Sequence, residues 1–337
     1  MSAQESRIIP LAALSQEMYR QEIQPVAERL KTSRGIVLFD LDKTAVNEAY
    51  NPTNLEGLKR AINRLQAHNV IVGIHSDTPL SSMIQFAAMF GVEGPLVYEM
   101  GGTYFAQEKI NLVLDTEVLN FFPGFRDKFY AEAKRRFPDT EKILHKISKE
   151  NDRNKEKREA VKYPGFDRGI FINPFRLLSF GLWAEGIKRS DGTTFLSPEF
   201  HQQVDALVKE MLIRELGFPD EAALKELYDY DFNPDYGVTI VKKKVLSSKT
   251  PPIQAILSLA PDFQGHAYMV GDSLADFIED PKVTTLAVAN AKQELRAKLD
   301  AQTVLLPQGI TRISQETYTQ GLIEHFEHIA DSLGIPH

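Results

Sequence analysis

The chain has no cysteine, so a disulfide, a thiolate metal site and a cysteine nucleophile are all excluded. It has one tryptophan, Trp183, and no run approaching the ~20 apolar residues that a helix needs to cross a bilayer. A short apolar patch near the start, IIPLAAL, is interrupted by Pro10 and followed by SQEMYRQE, so no secretory signal is expected. Positive charge is in deficit as well. Lys and Arg number 39 against 46 Asp and Glu, giving a net charge of −7 and a pI near 5.7, a balance that argues against nucleic acid as a partner. The one basic run, Lys142 to Lys162, is interspersed with Glu150, Asp152, Glu156 and Glu159 and lacks aromatics between its charges; it reads as a solvated helix or loop. These absences lead us to expect a cytoplasmic protein with neither membrane nor nucleic acid as a partner.

What is present is ordinary in bulk, with 43% hydrophobic and 25% charged residues over 337 positions, long enough for two modules. Residues 15–31 space Met18, Ile23, Val26 and Leu30 as one face of an N-terminal helix. GIVLFD then reads as a fully buried strand. The next segment has Pro52 and Thr53 as stop and cap, with Leu55, Leu58, Ile62 and Leu65 on one helical face. NVIVGIH is a second strand, broken by SDTP, where Ser76, Asp77 and Thr78 are possible caps and Pro79 suits a first helical turn. GPLVYEMGG is a third strand with a glycine turn. Strand, helix, strand, helix, strand implies parallel strands with right-handed crossovers.

From about Thr103 the grammar changes to a hairpin, a charged helical stretch over 125–160, further strands, and a helix capped by Ser197 and ended by Gly217. The first grammar resumes near Ser247: Pro251 and Pro252 open a helix, and HAYMVGD and VTTLAVA are buried strands. The sequence therefore predicts a doubly wound α/β core with an inserted α+β module. We place a helical extension at 1–34, the core at 35–105 and 242–337, and the insert at 106–241.

In an open parallel sheet, ligands bind beyond the carboxyl ends of the strands. The strands here end in Asp40 with Asp42, in Ser76, and in Asp272 with Asp276, while Lys249 sits where a helix begins. An acidic strand end occurs by chance, and a serine there is commonly a cap; the joint occurrence in this order is the signal. Asp40 is the candidate nucleophile on phosphorus. Asp42, two residues on, is the candidate acid and base for the leaving oxygen and for water. Phosphoryl transfer requires charge neutralisation, which Mg²⁺ supplies from oxygen ligands: Asp40, Asp272, Asp276 and Asp42 through its backbone carbonyl. Ser76 and Asp77, at a helix start, are candidates for holding phosphate, with Lys249 balancing its charge.

FDLDKT, IHSD, Lys249 and VGDSLAD resemble the four motifs of the haloacid dehalogenase superfamily. The likeness spans roughly 35–105 and 245–305. GPLVYEMGG is similar to the segment that enters a large cap in the Cof-like and sugar-phosphate phosphatase branch. The resemblance implies a Rossmann-like core, an α/β cap, Mg²⁺, an aspartyl-phosphate intermediate and a small phosphorylated metabolite, with sugar phosphates first. It also implies a phosphatase or mutase, because Asp42 is acidic. Two positions depart from the pattern: Lys43 stands where many members have glycine, and Met100 where many have asparagine. In the insert, Arg168 and Arg176 are candidates for clamping a second anionic group. A phosphomutase, and a non-catalytic binding or regulatory protein, remain alternatives.

YDYDFNPD resembles the start of a calcium loop but has Pro234 and Ile240 where Gly and Glu are required, so no calcium site is expected. His325 and His328 share a helical face without a third ligand and are expected at the surface.

Overall fold

A computed structural model describes residues 7–13, 15–138, 141–144, 168–186, 198–233, 238–302, 306 and 309–336. The chain divides into two compact units: Met1–Leu114 with Ser248–His337, and Asp115–Ser247 between them.

The first unit is built on an eight-stranded sheet. Its strands are β1 (Arg7–Pro10), β2 (Gly35–Phe39), β3 (Val70–His75), β4 (Leu96–Tyr98), β5 (Gly102–Phe105) and β6 (Ile110–Val113). After the second unit come the strands numbered β12 (His266–Gly271) and β13 (Val283–Ala287). The spatial order is β1-β6-β5-β4-β3-β2-β12-β13, with β4, β3, β2, β12 and β13 mutually parallel. The strand that carries Asp40 is thus central, between β3 and β12.

Its apolar run follows from that position, since a central parallel strand is covered on both faces. Ile36 and Leu38 pack with residues of α1 (Gln24–Thr32) and of α7 (Thr250–Ser258). On the other face Phe39 meets Phe326 of α9 (Tyr318–Ser332) edge-on, with ring centroids 5.6 Å apart, and Phe90 of α3 (Leu80–Phe90) at 6.4 Å. Burial of each such aromatic contributes about 2–3 kcal/mol. The helix after β2, α2 (Leu55–Ala67), buries Leu58, Ile62 and Leu65 as its spacing predicts. Its cap is Asn54, whose side chain accepts from the Gly57 N–H at 2.9 Å, rather than Thr53. A last helix, α8 (Gln293–Asp300), precedes α9.

Several expectations are corrected here. The N-terminal segment is more than a helical extension: β1 joins the sheet edge, parallel to β6, and Ile9, Ile23, Val26 and Leu30 are core residues. IIP reads poorly as a strand because Pro10 has no N–H to donate, a defect that costs nothing on an edge. The first unit runs to Leu114 and resumes at Ser248, because Ile110–Val113 pairs antiparallel with β5 and completes the sheet. His325 is buried, with Nε2 2.9 Å from the Ala287 carbonyl, and not at the surface.

The second unit has strands β7 (Glu141–Leu144), β8 (Arg168–Ile172), β9 (Ser179–Gly186), β10 (Tyr228–Asn233) and β11 (Val238–Lys243), in the order β10-β11-β9-β8-β7. All pairs are antiparallel except β7 with β8. Among its described residues are the α-helices α4 (Thr116–Arg136), α5 (Pro198–Leu216) and α6 (Glu221–Leu227). The helix expected at 125–160 begins at Thr116 and ends at Arg136, and Glu141–Leu144 is strand. Asp115 caps it by accepting from the Glu117 N–H, and the helix continues through Pro123 because Phe122, Phe125 and Phe129 are buried, the last two against Phe180. Most of the basic run lies outside the described residues, as do Ser197 and the side chain of Trp183.

Candidate active site

Parallel register brings the predicted residues to one end of the first unit's sheet. Phe39 pairs with Ile74 on β3 and Val270 on β12, so Asp40, Ser76 and Asp272 all lie just beyond neighbouring strand ends. The Asp40 N–H donates to the Val270 carbonyl at 2.9 Å, which fixes the carboxylate as the strand leaves the sheet.

Lys249 is the N-cap residue of α7, where Pro251 and Pro252 occupy a first turn that does not need their missing N–H groups. Its ammonium is almost fully buried, at 2% exposure, and donates to Asp40 Oδ1 at 2.6 Å and to Asp276 Oδ1 at 2.5 Å. Of the lysines just before it, Lys243 donates to Asp115 Oδ2 and Glu117 Oε2, each at 2.7 Å, within the second unit. Burial lowers the Lys249 pKa, but the carboxylates of Asp276 and Asp40 outweigh it and hold the amine above its ordinary value, so it is charged. For Asp40, burial is the largest influence and raises the pKa well above the ordinary carboxyl value, with the Lys249 charge opposing it.

Asp276 is fully buried and heavily bonded. Beyond Lys249, its Oδ2 accepts from the backbone N–H of Asp272 at 3.0 Å, the N–H of Ser273 at 2.8 Å and the Ser273 hydroxyl at 3.0 Å. This close approach requires glycine at 271, where a Cβ would lie 2.1 Å from the Asp276 carboxyl carbon. Asp272 accepts no hydrogen bond on its carboxylate among the described residues, and its pKa is raised to about 6, first by burial and then by Asp276. Asp40, Asp272 and Asp276 can each present an oxygen within 4.8 Å of the other two. Three buried carboxylate oxygens make a hard donor set, the kind that a divalent cation of the Mg²⁺ class takes.

Ser76 is buried, and its hydroxyl lies 3.0 Å from Thr78 Oγ1 and accepts from the Thr78 N–H at 3.3 Å. It therefore shapes the turn before α3; Pro79 takes the N-cap position and no side chain caps that helix. Asp77 is half-buried in the same turn, and Asp42 is half-buried two residues beyond Asp40. Arg176, in the second unit, is 7% exposed; it donates to Ser179 Oγ at 2.8 Å and lies across Gly181 of β9. Arg168 begins β8, and its side chain lies outside the described residues.

The two departures from the family pattern gain a common explanation. Lys43 has φ 57° and Met100 φ 55°, both left-handed. Glycine and asparagine are the residues that enter this region most readily, so a lysine and a methionine are strained there. Two residues, Asn290 and Thr319, escaped the sequence reading, whereas His75 stands out there as a strand-end residue that could line the site or simply pack. His75 is fully buried and pairs with Val97 of β4 in the sheet register, and neither ring nitrogen has a hydrogen-bond partner among the described residues. Burial, then the Lys249 charge, holds it neutral. Asn290 and Thr319 carry no motif at all, and only their three-dimensional contacts reveal them.

No family model matches the sequence, and no curated protein matches it. Solved structures do share the fold. A haloacid dehalogenase-like hydrolase from Bacteroides thetaiotaomicron is similar with TM-score 0.55 and 13% identity, over 88% of this chain and 100% of that one. A protein from Thermotoga maritima is similar with TM-score 0.53 and 15% identity, over 88% and 97% of the two chains. A protein from Geobacillus kaustophilus has TM-score 0.51 and 14% identity, over 90% and 100%. At these identities the likeness shows the fold: a Rossmann-like sheet with a second, mostly antiparallel unit inserted, as in haloacid dehalogenase-like hydrolases. No helix among the described residues is long and apolar enough to cross a membrane.

Proposed function

We propose that this chain, built on the fold of the haloacid dehalogenase-like hydrolases, is a Mg²⁺-dependent phosphohydrolase acting on phosphomonoesters of small metabolites. The observation that carries the reading is the buried lysine bridging two carboxylates, with a third beside them, at adjacent ends of parallel strands. A purely structural ion pair gains little from burial and does not need a third, under-bonded acid. A site that neutralises a phosphoryl group needs both.

Asp40 is the nucleophile. Its carboxylate oxygen bonds to phosphorus as the bond to the leaving oxygen breaks, and the Asp42 carboxyl gives that oxygen its proton. In the second half, water attacks the aspartyl-phosphate, the Asp42 carboxylate takes the water proton, and Asp40 is released with inorganic phosphate. Lys249 keeps the Asp40 carboxylate oriented for attack and offers positive charge beside the phosphoryl oxygens. Ser76 and the turn that it shapes supply hydrogen bonds to the same oxygens. Mg²⁺, held by Asp40 and Asp272 with Asp276 behind them and the Asp42 carbonyl completing the set, would neutralise charge on the transferring group. Asp276 has its own task in this scheme, because its four hydrogen bonds fix both Lys249 and the backbone at Asp272. The preference for sugar phosphates rests on the sequence resemblance.

The test is phosphate release from a panel of sugar phosphates, phosphoglycerates and nucleotides in Mg²⁺. The wild type should release phosphate, and Asp40→Asn and chelated enzyme should not. Activity surviving Asp40→Asn overturns the nucleophile; activity undiminished by chelation overturns the metal. Isomerised sugar phosphate in place of free phosphate would make the protein a mutase.

A further inference from the structure

Asp42 is the acid and base of the proposed reaction, yet it lies on a segment with little regular structure, residues 42–54. Something must hold it, because proton transfer to a leaving oxygen works only within hydrogen-bond reach. The segment begins as a tight turn in which the N–H groups of Ala45 and Val46 both donate to the Leu41 carbonyl, each at 3.0 Å. Asp42 itself forms a bridge with Val46.

This turn is tied down from the far end of the chain. Thr319, in the first turn of α9, is fully buried, donates from Oγ1 to the Ala45 carbonyl at 2.7 Å, and accepts from the Thr53 N–H at 3.0 Å. One hydroxyl therefore joins both arms of the segment. Beside it, the Tyr318 hydroxyl donates to Glu48 Oε1 at 2.6 Å. Asn290, after β13, accepts from the Tyr318 N–H at 2.8 Å and donates from Nδ2 to the Lys43 carbonyl at 2.7 Å. Lys43 directly follows Asp42 and is held at φ 57°. Lys43 and Tyr318 are both left-handed without being glycine, a conformation that persists only where surrounding contacts over-determine it.

We propose that Thr319 and Asn290 are positioning residues for Asp42, forming a bracket that sets where its carboxyl meets the leaving oxygen. The inference rests on the hydrolase reading above. It concerns residues that touch no substrate and act through the turn at Leu41–Val46 and the carbonyl of Lys43.

The test exploits leaving groups. p-Nitrophenolate departs without needing a proton, whereas the alkoxide of glycerol 2-phosphate does not, so only the second ester depends on Asp42 in the first step. Values of kcat/KM report that step. In Thr319→Val, which keeps the shape and removes the hydrogen bonds, kcat/KM for glycerol 2-phosphate should fall about tenfold or more, and for p-nitrophenyl phosphate less than about threefold. Thr319→Ser should restore the wild-type ratio. Asn290→Ala, at a half-buried position, should shift the ratio the same way and serves if the valine variant does not fold. Equal losses on both esters, an unchanged ratio in either variant, or failure of serine to restore it would overturn the inference. If the wild type released phosphate from neither ester, the hydrolase reading itself would fall first, and this bracket with it.

Discussion

Replacing Lys249 by methionine removes the buried cation that bridges two of three clustered acids and keeps most of the side-chain volume. The ammonium lies 2.6 Å from one Asp40 oxygen and 2.5 Å from one Asp276 oxygen. With charge centres about 4 Å apart and an effective dielectric constant of about 20, each pair is worth about 4 kcal/mol. The variant loses about 8 kcal/mol of attraction and is spared the desolvation of the ammonium, several kcal/mol. A net destabilisation of about 3–5 kcal/mol follows, in line with the loss expected when one partner of a buried pair is removed. Its pH dependence is specific. Burial already raises the Asp40 pKa, and without Lys249 nothing comparable opposes it. A carboxyl whose folded pKa lies above its unfolded value favours the fold fully below about pH 4 and loses that contribution as pH rises through the folded value. The deficit of Lys249→Met against wild type, from urea unfolding in metal-free buffer, should therefore be at least about 1 kcal/mol smaller at pH 5 than at pH 8. A deficit under about 1 kcal/mol, or one that is the same at both pH values, would refute the argument.

Other outcomes follow from the same geometry. Asp42→Asn should lower kcat by about 10²–10⁴-fold while leaving Mg²⁺ affinity, measured by calorimetry, within about threefold of wild type. Asp272 titrates at about 6, so protons should compete with Mg²⁺; the cation's affinity should drop on acidification through pH 6, and a flat profile from pH 5 to 8 would count against Asp272 as a ligand. Lys43→Gly should relieve left-handed strain at an exposed position and stabilise the protein by about 0.5–1 kcal/mol in urea. Arg64→Ala should cost about 1–3 kcal/mol in thermal unfolding, since this guanidinium joins α2 to Glu327, Asp331 and the carbonyls of Ile335 and Pro336.

The placement of Asp40, Asp272 and Lys249 was legible in the sequence, because the buried apolar strands and the proline-opened helix announce the ends at which they stand. Ser76 was legible as a strand-end hydroxyl, though its local partner, Thr78, shows up only in space. The edge strand at Arg7–Pro10 was not legible, because a four-residue strand with a proline has no pattern of its own and forms only against β6. Nor was the extent of α4, where Pro123 and Gly124 signal a break that buried phenylalanines override. The bracket at Thr319 and Asn290 was invisible for a different reason. A side chain that bonds to the backbone more than 240 residues away leaves no local periodicity, spacing or composition to read.

The position of β2 between β3 and β12 has a consequence for how the protein is made. Asp40 and His75 emerge from the ribosome within a few dozen residues of each other, but Asp272 follows only after the whole inserted unit has been synthesised. The sheet's central pairing thus closes late and across a long stretch of chain, the slow kind of contact. Until then the nascent sheet has an open edge at β2 and holds only part of its acidic cluster. The cluster of Asp40, Lys249, Asp272 and Asp276 is then completed in one step, when the final quarter of the chain docks.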